Sequence, residues 1–105
     1  MSIYKVNFEA MDWQQGRPGV RFKTYSDGGR QVRLVEFATS EGDPHWCQAG
    51  HIGYVLEGGL EIDFNGELLS FAKGDGLFIP SGPSHAHRGT KIQPGTRLLM
   101  VEETC

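Results

Sequence analysis

His45, Cys47 and His51 fall within seven positions of the segment HWCQAGHIGYVLEGG (45–59), in a chain that has four histidines and two cysteines. Imidazole nitrogen and thiolate sulfur are the side-chain donors that first-row transition metals bind well, so three of them together have the composition of a site for zinc, iron, nickel, manganese or copper. His45 and Cys47 are two residues apart, and on a strand that spacing sends both to one side of the sheet. Gln48-Ala49-Gly50 can then turn the chain and start the next strand at His51, so that one hairpin gathers three donors. Each residue also has a plainer reading. A histidine is commonly a surface or hydrogen-bonded core residue, and a mid-chain cysteine a small buried apolar one. Trp46, between the two donors, should face the opposite way and pack.

A second segment, GDGLFIPSGPSHAHR (74–88), carries His85 just beyond the turn formers Pro80, Gly82 and Pro83. Its spacing from Gly74 through Pro80 and Gly82 to His85 is similar to the second motif of the cupin superfamily, with Gly89 where that motif ends in asparagine. The first cupin motif runs Gly, His, one residue, His, then Glu and Gly further on. Here His45, Cys47, His51 and Gly58 keep its frame, with Cys47 in the place of the second histidine, His51 in the place of the glutamate and Thr39 in the place of the leading glycine. The chain therefore resembles a small single-domain cupin.

That resemblance implies an all-β fold, a double-stranded β-helix or jelly-roll barrel, with a metal inside near one mouth. Position by position, it implies His45, His51 and His85 as imidazole ligands and Cys47 as a fourth, holding one divalent transition metal ion. Such a Cys-plus-His set is softer than one of nitrogen and oxygen, which favours zinc, nickel or copper over manganese, with iron allowed if Cys47 stays out. His87, two after His85, should share its side of a strand and is either a rival to Cys47 or a base beside the ligands. Arg88 and Lys91 are candidates to draw an anionic substrate to the mouth, or are simply solvated.

The elements that must position these residues read as strands. Fifteen glycines and five prolines punctuate the chain, and no apolar spacing of helical period is sustained. Candidate strands are 20–25, 31–38, 45–47, 51–57, 60–64, 67–72, 76–80, 84–88 and 96–103. The segments EGG (57–59) and NG (65–66) suit tight hairpins. In LEIDF (60–64), Leu60, Ile62 and Phe64 alternate with Glu61 and Asp63, as in a half-buried strand, whereas HIGYVLE (51–57) is apolar on both faces and needs two covers. Strands within residues 1–38 could supply one cover, as could a second copy of the chain, which makes a homodimer the expected assembly. The first motif lies within 42–66 and the second within 74–89 of one domain spanning 1–105.

With 105 residues, a formal charge of −3 and no Lys/Arg run, the chain offers nothing that attracts a phosphate backbone, so no nucleic-acid partner is expected. No apolar stretch is long enough for a membrane helix and no basic-then-apolar leader opens it, so a cytoplasmic protein with reduced thiols is expected. The expected partner is a small molecule. The leading reading is a metal-dependent oxygenase or isomerase; the alternatives are a non-catalytic binding or sensing module and a metal that only stabilises the barrel.

Overall fold

The computed structural model describes residues 4–102. Its strands are β1 (Gln14–Gln15), β2 (Val20–Asp27), β3 (Arg30–Phe37), β4 (His51–Glu57), β5 (Gly59–Phe64), β6 (Glu67–Ala72), β7 (Gly76–Ile79), β8 (Arg88–Ile92) and β9 (Arg97–Glu102). They form a six-stranded sheet in the order β1-β2-β3-β9-β4-β7 and a three-stranded sheet in the order β6-β5-β8, with neighbours antiparallel throughout.

Period-2 alternation decides what lies between the sheets. On β9, Leu98, Met100 and Glu102 are buried, while Leu99 is half-buried and Val101 exposed on the other face. Val35, Val55 and Leu77 from the large sheet pack in one cluster with Ile62 from the small one, with Phe22, Phe37, Leu60 and Phe71 against them. Burying side chains of this kind stabilises by about 1.5–3 kcal/mol each, so the cluster is the main force holding the two sheets face to face. The β5–β6 hairpin turns at Asn65 (φ 54°) and Gly66 (φ 101°), a left-handed pair that other residue types adopt only with strain. Asp63 Oδ1 accepts the Gly66 N–H at 2.6 Å and holds that turn closed.

The N-terminal segment covers one end of the large sheet's outer face. The Phe8 carbonyl accepts from Lys23 Nζ at 2.8 Å, and the Trp13 ring lies 4.1 Å from the Arg21 guanidinium and 4.5 Å from Lys23 Nζ. The rest of that face is bare: Ile52, Phe78 and Val101 are exposed.

Two expected strands are not strands. Residues 45–47 lie in the loop between β3 and β4 and pair only through one isolated bridge, Cys47 to His87, just before β8. Residues Pro83–His85 form a 3-10 turn, and β8 starts only at Arg88. Pro83 has no N–H to give a ladder, and Gly82 enters the turn at φ 120°, outside any extended conformation. The last residue of the expected strand 96–103 lies outside the described residues.

Candidate metal centre

The centre is assembled where the β3–β4 loop lies against the start of β8. Asp43 N–H donates to the Gly89 carbonyl at 2.9 Å, and Cys47 and His87 exchange two backbone hydrogen bonds, at 2.8 and 3.0 Å. Gly42 permits this approach, because a Cβ there would stand 2.7 Å from the Thr90 carbonyl oxygen. The reciprocal pair sets the Cys47 and His87 side chains next to each other. From the large sheet, β4 begins at His51, which lies in register with Ile79 on β7 and Glu102 on β9.

Among the described residues, Cys47, His51 and His87 bring one sulfur and two ring nitrogens within 4.8 Å of one another. Both histidines are buried, and their rings meet edge-on with centroids 4.8 Å apart. His51 Nδ1 faces Glu102 Oε2, and its Nε2 lies 3.3 Å from Cys47 Sγ. His87 Nδ1 lies 2.9 Å from the His85 carbonyl and donates to it, which leaves Nε2 unprotonated in the neutral ring; that nitrogen is buried and has no hydrogen-bond partner among the described residues. The Phe64 ring lies tilted against the same ring, with centroids 6.0 Å apart. An acceptor behind each Nδ1 fixes the tautomer and aims Nε2 forward, which is how metal-binding histidines are held.

Electrostatics favour the same state. Burial pulls the His87 pKa down, with the neighbouring His51 adding to it, against the opposing pull of its bond to the His85 carbonyl and of Glu102, and the net is a ring neutral at pH 7. Burial alone would push Glu102 up. The hydrogen bond from His51 and the charge of Arg33 outweigh it, and the carboxyl sits below its ordinary value. Arg33 Nε is 2.5 Å from Glu102 Oε1, so one carboxylate ties Arg33 on β3 to His51 on β4.

The other expected ligands, His45 and His85, are not in this three-donor group. His45 is almost fully exposed, and its Nδ1 lies 3.0 Å from Asp43 Oδ1, which also accepts the His45 backbone N–H at 2.9 Å. Burial raises the Asp43 pKa, but these two bonds and the charge of Arg17 outweigh it and leave the carboxyl lowered. Residues 45–47 are loop rather than strand, and although His45 and Cys47 both line the cavity, only Cys47 is in the three-donor cluster. His85 is exposed on the 3-10 turn and meets the cluster through its carbonyl, not its ring. The turn also breaks the alternation that would have put His85 and His87 on one side. The thiol expectation changes as well: Cys47 is disulfide-bonded, so its sulfur can ligate as a thiolate only after reduction. The chain's other cysteine, Cys105, lies outside the described residues. Trp46 is partly exposed and stacks on the Arg88 guanidinium at 4.5 Å.

Glu102 and Arg33 were not among the expected site residues. Each carries a period-2 signal: Glu102 follows Leu98 and Met100 on the inward face of β9, and Arg33 precedes Val35 and Phe37 on that of β3. A charged group in line with a core face is the mark of a buried pair.

The cluster forms part of the wall of a cavity of about 340 Å³ between the sheets. Phe22, Val35, Leu60, Leu77, Leu98 and Met100 supply apolar wall; Arg17, Arg33, Asp43, Arg88 and Glu102 are its charged lining.

No curated protein matches the chain significantly. Solved structures do match its fold. KdgF from Halomonas sp. superposes with a TM-score of 0.74 at 23% identity, over 90% of this chain and 89% of that one. An RmlC-like cupin from Shewanella frigidimarina gives 0.74 at 19% identity, over 97% and 90%. The polyketide cyclase RemF from Streptomyces resistomycificus gives 0.73 at 21% identity, over 94% and 78%. These likenesses establish a jelly-roll barrel. The family model for the cupin domain matches residues 21–102, from β2 to the last residue of β9, and the chain belongs to the cupin family.

Proposed function

We propose that the protein is a metal-binding cupin that admits a small organic molecule to its cavity, with the metal held by His51 and His87 through Nε2 and by Cys47 when its sulfur is reduced. The observation that carries this reading is His87 Nε2: buried, without a hydrogen-bond partner among the described residues, and held unprotonated by the bond from Nδ1 to the His85 carbonyl. A buried acceptor of this kind costs about 1–3 kcal/mol if nothing meets it, and a cation meets it. When bound, a zinc, iron or nickel ion supplies Lewis-acid or redox chemistry at the cavity wall. His51 and His87 hold it, Glu102 orients His51, and the apolar wall excludes water.

Three donors rather than four leave a position open, which favours a catalytic centre of oxygenase or isomerase type over a closed structural one. The non-catalytic reading draws its support from the disulfide at Cys47, which leaves two nitrogens and a weaker site. The experiment is metal content per chain in protein purified without added metal, with and without reductant. Expected is about one ion per chain under reductant, lost in His51→Ala and His87→Ala and kept in His45→Ala and His85→Ala. Full occupancy in His87→Ala sinks the assignment.

A homodimer across the outer face of the large sheet is also proposed. Tyr25, Val32, Val101, Ile52 and Phe78 lie in one lateral row over five strands, by register. Four of the five are exposed, Phe78 at 78%, and such a contiguous apolar row favours association.

A further inference from the structure

The cavity is lined by a cation whose terminal nitrogens make no hydrogen bond among the described residues. Arg33 projects from the inward face of β3, opposite Met100 on β9, and contributes to the cavity lining. Its Nε is tied to Glu102 Oε1 at 2.5 Å, and its guanidinium lies 5.6 Å from the Phe22 ring centroid. Those two contacts fix the guanidinium at one edge and one face. Among the described residues no hydrogen bond reaches its Nη nitrogens, Glu102 is its ion-pair partner, and its side chain is 30% exposed. Glu102 divides its two oxygens between Arg33 and His51. The lining also carries Arg17 and Arg88 against a single further acid, Asp43, which His45 and Arg17 already occupy.

We propose that Arg33 is a specificity-determining residue, that it presents its Nη pair to a carboxylate of the bound molecule, and that the cavity takes small organic acids with an apolar body. The proposal rests on the reading of this cavity as the ligand site and names the class of ligand. A guanidinium held by Nε leaves the Nη edge free for a second carboxylate, and charge-assisted pairs of this kind are about twice as strong as neutral ones. Phe22, Val35, Leu98 and Met100 then lie along the apolar body. Because Glu102 links Arg33 to His51, an acid anchored at Arg33 is set beside the His51–His87 pair. A cavity of about 340 Å³ is at the small end of ligand pockets, which limits the acid to a small one.

The test compares benzoate and hexanoate with benzamide and hexanamide, matched in shape and lacking the charge. Dissociation constants come from NMR titration of wild type, in EDTA-treated and in zinc-loaded reduced protein, following the Arg33 Nε–H signal. Both acids are expected to bind roughly tenfold or more tightly than their amides and to move that signal. Arg33→Lys, which keeps the charge beside Glu102 but loses the fork, should narrow the preference by about tenfold without weakening amide binding. Equal affinity for acid and amide in wild type, or an unchanged preference in Arg33→Lys, overturns the proposal. Metal content measured on the same samples separates the two readings: acid preference in protein that never holds metal leaves Arg33 in place and removes the metal centre, and bound metal without acid preference does the reverse.

Discussion

Glu102→Gln removes one charge and almost no volume from a side chain 1% exposed, and so isolates what the carboxylate does for Arg33 and His51. Taking one partner from a buried ion pair costs about 3–5 kcal/mol, because the other charge stays desolvated. Here Arg33 is 30% exposed and glutamine keeps one oxygen as an acceptor, so water and the retained hydrogen bond recover part of that. The expected loss is about 2–3 kcal/mol, or roughly 10–20 °C in melting temperature for a domain of this size. The same change leaves His51 poorly oriented and should weaken metal binding about 10- to 100-fold. Urea denaturation followed by tryptophan fluorescence measures the first, and competition with a metal chelator the second. The pH dependence has a definite sign. Glu102 is depressed below its ordinary 4.5 in the fold, so its contribution is complete above that value and fades as pH falls through the lower folded one. Metal-free wild type should therefore lose stability on acidification below about pH 4.5 more steeply than the variant does. A variant within about 0.5 kcal/mol of wild type, with the same acid limb, would falsify the reasoning.

Gly42→Ala would push a methyl group against the Thr90 carbonyl, so the β3–β4 loop must lift from β8. A loss of about 1–3 kcal/mol in urea, with metal content falling alongside, is expected; normal values for both would mean that the loop approach is not needed. Thr96 is fully buried, and its hydroxyl accepts the Gly59 N–H at 3.0 Å. Thr96→Val should cost about 1–3 kcal/mol by leaving that donor unmet, and a stability equal to wild type would show that the hydrogen bond adds nothing. For the outer face, Ile52→Glu should turn a sedimenting dimer into a monomer while the melting temperature of the monomer holds; wild type sedimenting as a monomer at micromolar concentration removes the dimer.

Most of the strands were legible because each carries its own signal. LEIDF alternates, NG turns, and the apolar runs around Val55 and Leu98 need no distant partner to be read as core. The two segments beside the candidate site depart from the expected strands, for one shared reason. Residues 45–47 and 83–85 have no alternation of their own; the first is held by the paired hydrogen bonds of Cys47 to His87, just before β8, and the second by Pro83 and the positive φ of Gly82. Assuming strand geometry there placed His45 with Cys47 and His85 with His87, and both pairings depend on an alternation that loops and 3-10 turns lack.

The sequence by itself determined that the chain is an all-β cupin with Cys47 and His51 in altered motif positions, because motif spacing and period-2 burial are local properties. Only the tertiary structure decided which donors meet. It turned the His45 and His85 rings toward solvent, brought His87 onto Cys47 through paired backbone bonds, and set Glu102 behind His51. Those contacts join residues up to fifty-one positions apart in the chain, from His51 to Glu102, across two sheets. No local pattern encodes the register between strands that meet only after folding.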